Sequence, residues 1–126
     1  MICPACGHSL TPQTIGQTTV DTCAGGCGGI WFDNFELARL DEPHDPGADV
    51  LLAVPRNEKM EVDLAMKRNC PRCHDQVMRR RFSSRLRQVE IDECPACAGV
   101  WLDAGELVRI RAEVARAAAA PKKRLW

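Results

Sequence analysis

The sequence is poor in aromatic residues and lacks the long apolar segments of membrane proteins. Tyrosine is absent, and all aromatic residues together make up 5% of the 126 residues. No apolar run approaches the ~20 residues that a helix needs to span a bilayer, and the first residues do not form the basic-then-apolar leader of an exported protein. We therefore expect a cytoplasmic protein with no membrane partner, in which a small apolar core needs further stabilisation.

The sequence also shows no pattern typical of an enzyme. It offers no nucleophile next to a base, no glycine-rich phosphate loop and no metal site with an open position. Two pairs of carboxylates, Asp33 with Glu36 and Asp103 with Glu106, occur at the same place in two similar stretches. Because each pair precedes a predicted helix, capping explains them better than catalysis does. We predict that the protein has no catalytic residues and no small-molecule substrate.

Cysteine, by contrast, is abundant, and its spacing predicts metal sites. The eight cysteines form four close pairs in a repeated order, C-x2-C-x16-C-x3-C followed by C-x2-C-x20-C-x2-C. Thiols stay reduced in the cytosol, where paired cysteines bind metal more often than they form disulfides. Four thiolates complete the tetrahedral coordination of a structural zinc ion. We predict two Zn²⁺ per chain, bound by Cys3, Cys6, Cys23 and Cys27 in a first repeat and by Cys70, Cys73, Cys94 and Cys97 in a second.

Other chemistry for these cysteines stays open at this point. Iron bound by four thiolates and a redox-active C-x-x-C are the rivals of zinc. A thiol-based protein that responds to zinc or to oxidation is a further alternative, and it would require zinc that is easily released.

Each set of cysteines belongs to the same predicted unit, a β-hairpin and a short strand followed by a helix. The short strands are the apolar triplets 30–32 and 100–102, and we assign Trp31 and Trp101 at their centres to the core next to the metal sites. The fold class is therefore a small metal-stabilised α+β protein with two four-cysteine zinc ribbons, each followed by a helix. The predicted segments are ribbon 1 with a short helix (1–42), a partly extended linker (43–66), ribbon 2 with a long C-terminal helix (67–121) and a basic tail (122–126).

The helices and the linker are predicted from their apolar periodicity. A short helix should run over about 34–41, and a longer one should end before Pro121 and carry an apolar stripe that includes Leu107 and Val114. That stripe packs on its own ribbon or forms the seam of a homodimer. In the linker, 60–66 alternates with period two, which predicts an extended segment beside one ribbon that fixes the two ribbons relative to each other.

One stretch also resembles a known family. Cys94-Pro-Ala-Cys97-Ala-Gly99-Val-Trp101-Leu-Asp103-Ala-Gly105-Glu106-Leu107 is similar to the signature of the transcription factor IIB-type zinc-finger family. The resemblance covers about 1–42 and 67–110, and it implies a zinc ribbon in each repeat with the eight cysteines as ligands. The first repeat departs from the signature twice: one extra residue separates Cys23 from Cys27, and Asn34-Phe35 replaces the usual x-Gly before Glu36.

Charge is distributed unevenly along a chain whose formal net charge is zero. Residues 1–66 carry 3 Lys/Arg against 10 Asp/Glu, whereas 67–126 carries 14 against 7. A basic run over 67–87 fits phosphate binding along one hairpin, and it also fits a solvated face that pairs with acidic groups or contacts a protein. We therefore predict an adaptor for nucleic acid or for another protein, acting in transcription if the resemblance extends to function. The candidate nucleic-acid contacts are Arg79, Arg80, Arg81, Arg85 and Arg87.

Overall fold

One antiparallel sheet runs through both repeats. The computed structural model describes residues 1–40, 46–84 and 86–119, and its six strands lie in the order β1-β2-β3-β6-β5-β4. The strands are β1 (Thr11–Ile15), β2 (Thr18–Thr22), β3 (Ile30–Phe32), β4 (Arg79–Phe82), β5 (Glu90–Glu93) and β6 (Val100–Leu102). The helices are α1 (Glu36–Leu40), a 3-10 helix (Pro46–Ala53) and α2 (Glu106–Ala119).

The predicted fold class is confirmed, because antiparallel strands, two four-cysteine clusters and a C-terminal helix are all present. Strands β1 and β2 form a hairpin around Gly16, whose φ of 60° suits glycine. Strands β4 and β5 form the second hairpin, and both apolar triplets are strands. Arg85, at the predicted turn of the second hairpin, lies outside the described residues.

Both predicted helices are present at the predicted places. Helix α1 begins at Glu36, and the last residue predicted for it, Asp41, lies outside the described residues. Helix α2 has 14 residues; Pro121 and the basic tail 122–126 also lie outside the described part of the chain. No helix in that part has the length and apolar content needed to cross a bilayer.

The apolar stripe of α2 packs on the sheet of its own chain. Leu107 and Ile110 are buried in the main apolar core, and Val114 packs against it. The predicted packing of the helix on its own ribbon is therefore confirmed, and a homodimer through this helix stays a prediction.

The two repeats meet at the centre of the sheet, in a contact that we call the central seam. Strand β3 pairs antiparallel with β6, and Trp31 lies opposite Trp101 in this register. Each buried ring covers a glycine of the other repeat: a Cβ on Gly29 would lie 2.2 Å from the Trp101 ring, and one on Gly99 would lie 2.1 Å from the Trp31 ring. Because no Cβ fits at such distances, glycine is needed at both positions.

The central strands are buried on both faces. Alternate side chains point to opposite faces of a strand. One face therefore carries the aliphatic core with Leu40, Leu51 and Leu107 of the helices. On the other face the two tryptophans cluster with cysteines of both repeats. The prediction that these tryptophans are core residues next to the metal sites is confirmed.

The linker has no strand in the stretch predicted to be extended. Of residues 60–66, all of which the structure describes, 60–63 have no regular secondary structure, 64–65 form a turn and Met66 lies in a bend. Met60 and Val62 pack against the cysteine clusters, as the period-two pattern predicts, whereas Leu64 and Met66 are exposed. The partly extended linker therefore stays a prediction.

The central seam joins the two ribbons directly. The linker also contacts the second cysteine pair of the first repeat. Gly25 donates its backbone N–H to the Pro55 carbonyl at 2.8 Å, and Asn57 donates to the Gly26 carbonyl at 2.8 Å.

Candidate metal centres

The four predicted cysteines of the first repeat converge on one point. The Sγ atoms of Cys3 and Cys27 are 3.6 Å apart, and those of Cys6 and Cys23 are 3.4 Å apart. All four sulfurs lie within 4.8 Å of one another. The backbone N–H groups of Ala5 and Cys6 point at Cys3 Sγ from 3.4 Å, which favours a thiolate at that atom.

The four predicted cysteines of the second repeat form an equivalent cluster. The Sγ atoms of Cys70 and Cys97 are 3.7 Å apart, and those of Cys73 and Cys94 are 3.9 Å apart. Again the four sulfurs lie within 4.8 Å of one another. Backbone N–H groups of Ala96 and Cys97 point at Cys94 Sγ from 3.4 and 3.5 Å. The hairpin of each repeat thus brings its two cysteine pairs together, as the sequence predicted.

Both clusters fit a tetrahedral metal ion. Zinc bound by four sulfurs at about 2.3 Å would hold them roughly 3.8 Å apart, and the sulfur pairs measure 3.4 to 3.9 Å. All eight cysteines are free thiols, and these distances are too long for a disulfide bond of about 2.05 Å. Each cluster therefore has the donor set of a closed four-thiolate site that could hold a metal ion.

A cation is needed to ionise a whole cluster. Burial raises the pKa of Cys23 to about 11 and the pKa of Cys70 to about 12. A hydrogen bond from Cys27 lowers the pKa of Cys3 to about 5, so a thiolate forms readily at one atom while neighbouring thiols keep their protons. A divalent ion supplies the charge that stabilises the remaining thiolates, and its binding releases their protons.

The extra residue of the first cluster is accommodated by glycine. A Cβ on Gly26 would lie 2.5 Å from Cys23 Sγ, so the wider cysteine pair closes only because this residue has none. The first cluster also has a nearby imidazole, since His8 Nδ1 lies 3.3 Å from Cys6 Sγ. The exposed His8 ring can stabilise the Cys6 thiolate by a hydrogen bond without occupying a ligand position.

The two carboxylate pairs have structural partners, and the glutamate half of each predicted capping box is present. Glu36 accepts the backbone N–H of Asp33 at 2.7 Å, and Glu106 accepts that of Asp103 at 3.0 Å. Each aspartate also accepts the indole N–H of the tryptophan two residues before it, at 3.1 and 3.3 Å. Burial raises the pKa of Glu106 to about 7.

The predicted nucleic-acid contacts of the second hairpin separate into paired and unpaired arginines. Arg80 pairs with Asp92 at 3.2 Å, and Arg81 pairs with Glu93 at 2.8 Å, both across the β4–β5 ladder. These two guanidinium groups are therefore largely neutralised by the sheet that carries them.

The other predicted contacts differ. Arg79 and Arg87 are exposed, and neither forms an ion pair with a described residue. Arg85 lies outside the described part of the chain. The structure thus leaves two arginines of the predicted set available for a partner.

Two further arginines of the basic run, Arg68 and Arg72, connect separate parts of the fold. Their sequence pattern gave no indication of this role. Arg68 is 2% exposed, and its Nη1 donates to Asp103 at 2.6 Å and to Asp92 at 3.3 Å. Arg72 of the second repeat forms a bidentate pair with Asp33 of the first, at 2.5 and 2.7 Å. The sequence does repeat an aspartate directly after each apolar triplet, Asp33 and Asp103. In the structure each of these aspartates pairs with an arginine.

Comparison with known proteins agrees with this geometry. The family model described as transcription factor zinc-finger, a zinc ribbon of the TFIIB type, matches residues 2–43 and 69–113. The two matches coincide with the two repeats and include all eight cysteines, which confirms the predicted resemblance in two tandem copies. No curated protein and no solved structure matches the chain.

Proposed function

The chain belongs to the transcription factor zinc-finger family, and from this premise we propose that it is a non-catalytic zinc protein that binds a protein partner. Each four-cysteine cluster holds one Zn²⁺ in a structural role. Four thiolates leave no coordination position for a substrate, which supports binding rather than catalysis as the activity. The zinc ions contribute folding free energy and keep the binding surface in shape.

The observation that carries the proposal is the exposure of Phe35. Its side chain is 73% exposed and its φ is 72°, whereas the equivalent residue of the second repeat is Gly105 with a φ of 84°. A residue other than glycine is strained in this region, and an exposed ring recovers little of that cost by packing. Strained residues cluster at binding positions, and phenylalanine is enriched at protein interfaces, which together support Phe35 as a protein contact.

The ion pairs of the basic run favour a protein partner over nucleic acid. Arg68, Arg72, Arg80 and Arg81 all pair with carboxylates of the chain. Phosphate groups would compete with these internal partners, so the basic run offers less positive potential than its sequence indicates.

Photo-cross-linking from position 35 tests the proposal. A photoreactive phenylalanine analogue in place of Phe35 should give a discrete adduct with one cellular protein. The same analogue in place of Val50, which is 50% exposed on the 3-10 helix, is the matched control and should give none. Absence of a discrete adduct above the Val50 control would contradict the proposal.

Nucleic acid is the second candidate, and the exposed, unpaired Arg79 and Arg87 favour it. Labelled DNA and RNA can be titrated at about 50 and 200 mM salt. Two phosphate contacts alone would make the affinity fall roughly tenfold between these salts. A loss of about tenfold or more, together with weakening in Arg79→Ala and Arg87→Ala, would support nucleic acid as the partner.

A further inference from the structure

A cleft of about 320 Å³ lies beside Phe35, where the first repeat meets the hairpin and helix of the second. An equivalent cleft lies at the start of α2, where 104–108 takes the place of 34–38 and Gly28 takes the place of Ala98. The 3-10 helix contributes Leu51, Leu52 and Val54 to that second cleft. The cleft beside Phe35, which we call the Phe35 cleft, receives none of the described linker residues. The polar residues of its lining are Asn34, Arg81, Ser83, Ser84, Glu93 and Glu113.

The Phe35 cleft contains a buried carboxylate with an unused oxygen. Glu113 is 1% exposed, and its Oε1 accepts hydrogen bonds from the hydroxyls of Ser83, at 3.1 Å, and of Ser84. Its Oε2 is buried and has no hydrogen-bond partner, and no described cation forms an ion pair with Glu113. Buried carboxylates are almost always paired, so Glu113 is a candidate for binding a positively charged group.

The rest of the cleft determines which cation fits. Glu93, the other carboxylate of the lining, is already neutralised by Arg81 at 2.8 Å. The remaining lining is mainly apolar and includes Phe35, Leu37, Ile110 and Val114. An apolar stem that ends in one positive charge would contact these side chains and bring its charge to Glu113.

Lysine fits this arrangement better than arginine does. A guanidinium group prefers to pair with both oxygens of a carboxylate, and the two serine hydroxyls already use Oε1 of Glu113. A compact ammonium group can donate to the single free oxygen. The geometry therefore selects an ammonium on a flexible alkyl stem.

We propose that the Phe35 cleft binds a lysine side chain of a protein partner, an inference that rests on the proposed function for the source of the lysine. The ammonium donates to Glu113 Oε2, the methylene groups pack on Leu37 and Ile110, and the Phe35 ring covers the stem at the rim. Binding supplies the missing charge partner of a carboxylate that the fold leaves unpaired.

An NMR titration of the full zinc-loaded chain with N-acetyl-lysine methylamide tests the assignment. Amide signals of Phe35, Ser84 and Glu113 should shift, and N-acetyl-norleucine methylamide, which lacks the ammonium, should bind at least about tenfold more weakly. Glu113→Gln should weaken the lysine compound by about the same factor. Glu90→Gln, which removes an exposed carboxylate of β5 with the same change in charge, is the matched control and should leave binding unchanged.

The melting temperature provides a second readout, because replacing Glu113 should change it in the opposite direction from replacing a carboxylate that stabilises the fold. Because Glu113 is buried without a charge partner, Glu113→Gln should raise the melting temperature of the zinc-loaded chain by a few degrees. A lowered melting temperature would show that the carboxylate already has a stabilising role in the fold, and it would overturn the proposal. Equal binding of the lysine and norleucine compounds, or shifts only outside the cleft, would overturn it as well.

The source of the ammonium can be tested in the same titration. Butylamine has the stem and the ammonium without a peptide backbone, so a protein-borne lysine predicts weaker binding of butylamine than of the lysine compound. Equal or tighter binding of butylamine would overturn the protein source. A cross-link from position 35 without lysine binding would refute the cleft assignment alone, whereas lysine binding without any cross-linked protein would refute the proposed function.

Discussion

The first and second repeats place equivalent residues at equivalent points of the sheet, yet the aspartate after the apolar triplet finds its arginine in different ways. Asp103 pairs with Arg68 of its own repeat at 2.6 Å. Asp33 pairs at 2.5 Å with Arg72, which comes from the other repeat, and the residue equivalent to Arg68 in its own repeat is Met1. The difference indicates that the second repeat supplies this ion pair from its own residues, whereas the first depends on its neighbour for the arginine.

The central seam shows the opposite behaviour, because there the two repeats contribute equally. Each supplies one tryptophan and one glycine, and each ring covers the glycine of the other repeat. A tandem duplication can thus keep a symmetric contact between its copies while ion pairs and binding residues diverge.

Removing one cysteine from each cluster should have the largest effect and should separate the repeats. We expect Cys94→Ser to lose one zinc and the cooperative fold of the whole chain, since a structural zinc site contributes on the order of 10 kcal/mol. Cys23→Ser should also lose one zinc but leave the second repeat folded. Metal analysis and NMR measure both outcomes, with Ala24→Ser and Ala96→Ser as matched controls. Equal unfolding by the two cysteine variants would contradict the dependence of the first repeat on the second.

The two arginine–aspartate contacts should differ in strength because one is buried. Arg68→Met leaves the buried Asp103 without its charge partner and leaves Asp92 with Arg80 alone, and we expect a loss of about 3–5 kcal/mol in the free energy of unfolding. Arg72→Met breaks a pair whose arginine side chain is 48% exposed, and the expected loss is at most about 1 kcal/mol. Denaturant unfolding with zinc present measures both, and equal losses would show that the exposed pair between the repeats matters as much as the buried one.

Replacing either seam glycine, Gly29 or Gly99, with alanine should lower the free energy of unfolding by a similar amount. Gly29→Ala and Gly99→Ala each force a methyl group into a tryptophan ring, which typically costs about 1–3 kcal/mol. Gly16→Ala is the control: its Cβ would meet no atom within 4 Å, and the expected loss, from positive φ alone, is about 1 kcal/mol. Unfolding free energies that rank Gly16→Ala with the seam variants would argue against a tight seam.

The smallest predicted effect is a pH dependence of the folding stability that arises from Glu106 at the start of α2. Burial raises the pKa of Glu106 from 4.5 to about 7 in the folded state. The stability that its protonated form contributes is fully present below 4.5 and is lost as the pH rises through 7. Glu106→Gln should therefore gain stability relative to the unsubstituted chain between about pH 6 and 8. The equivalent Glu36→Gln should gain less, because Glu36 is more exposed; an equal gain would remove this difference between the repeats.

Most of the unit was predictable from the sequence because its signals are local. The cysteine pairs, the triplets around Trp31 and Trp101 and the acidic residues before each helix each determine a short piece of structure. The pairing of these two triplets with each other was not predictable. A three-residue apolar strand has the same sequence pattern inside one ribbon as at a contact between two ribbons. The seam depends on Gly29 and Gly99, which let the tryptophan rings approach the backbone closely. This requirement is visible only when the rings are packed in the folded sheet.

The charged residues were the least predictable part. Arg68 and Arg72 belonged to a basic run that indicated an exposed surface, but their partners come from distant segments that only the folded sheet brings near. Likewise, nothing in the apolar periodicity of α2 distinguishes Glu113 from a solvated carboxylate. Its burial follows from the packing of the second hairpin on that helix, through Ser83 and Ser84.

We propose that this chain folds because two closed four-thiolate sites bind zinc. Native mass spectrometry of the purified chain, before and after a strong zinc chelator, tests it most directly. We predict a compact species that carries two zinc ions per chain and becomes an extended, metal-free species with the chelator. A chain that carries fewer than two zinc ions while compact, or that stays compact after both are removed, would show that zinc binding does not drive its folding.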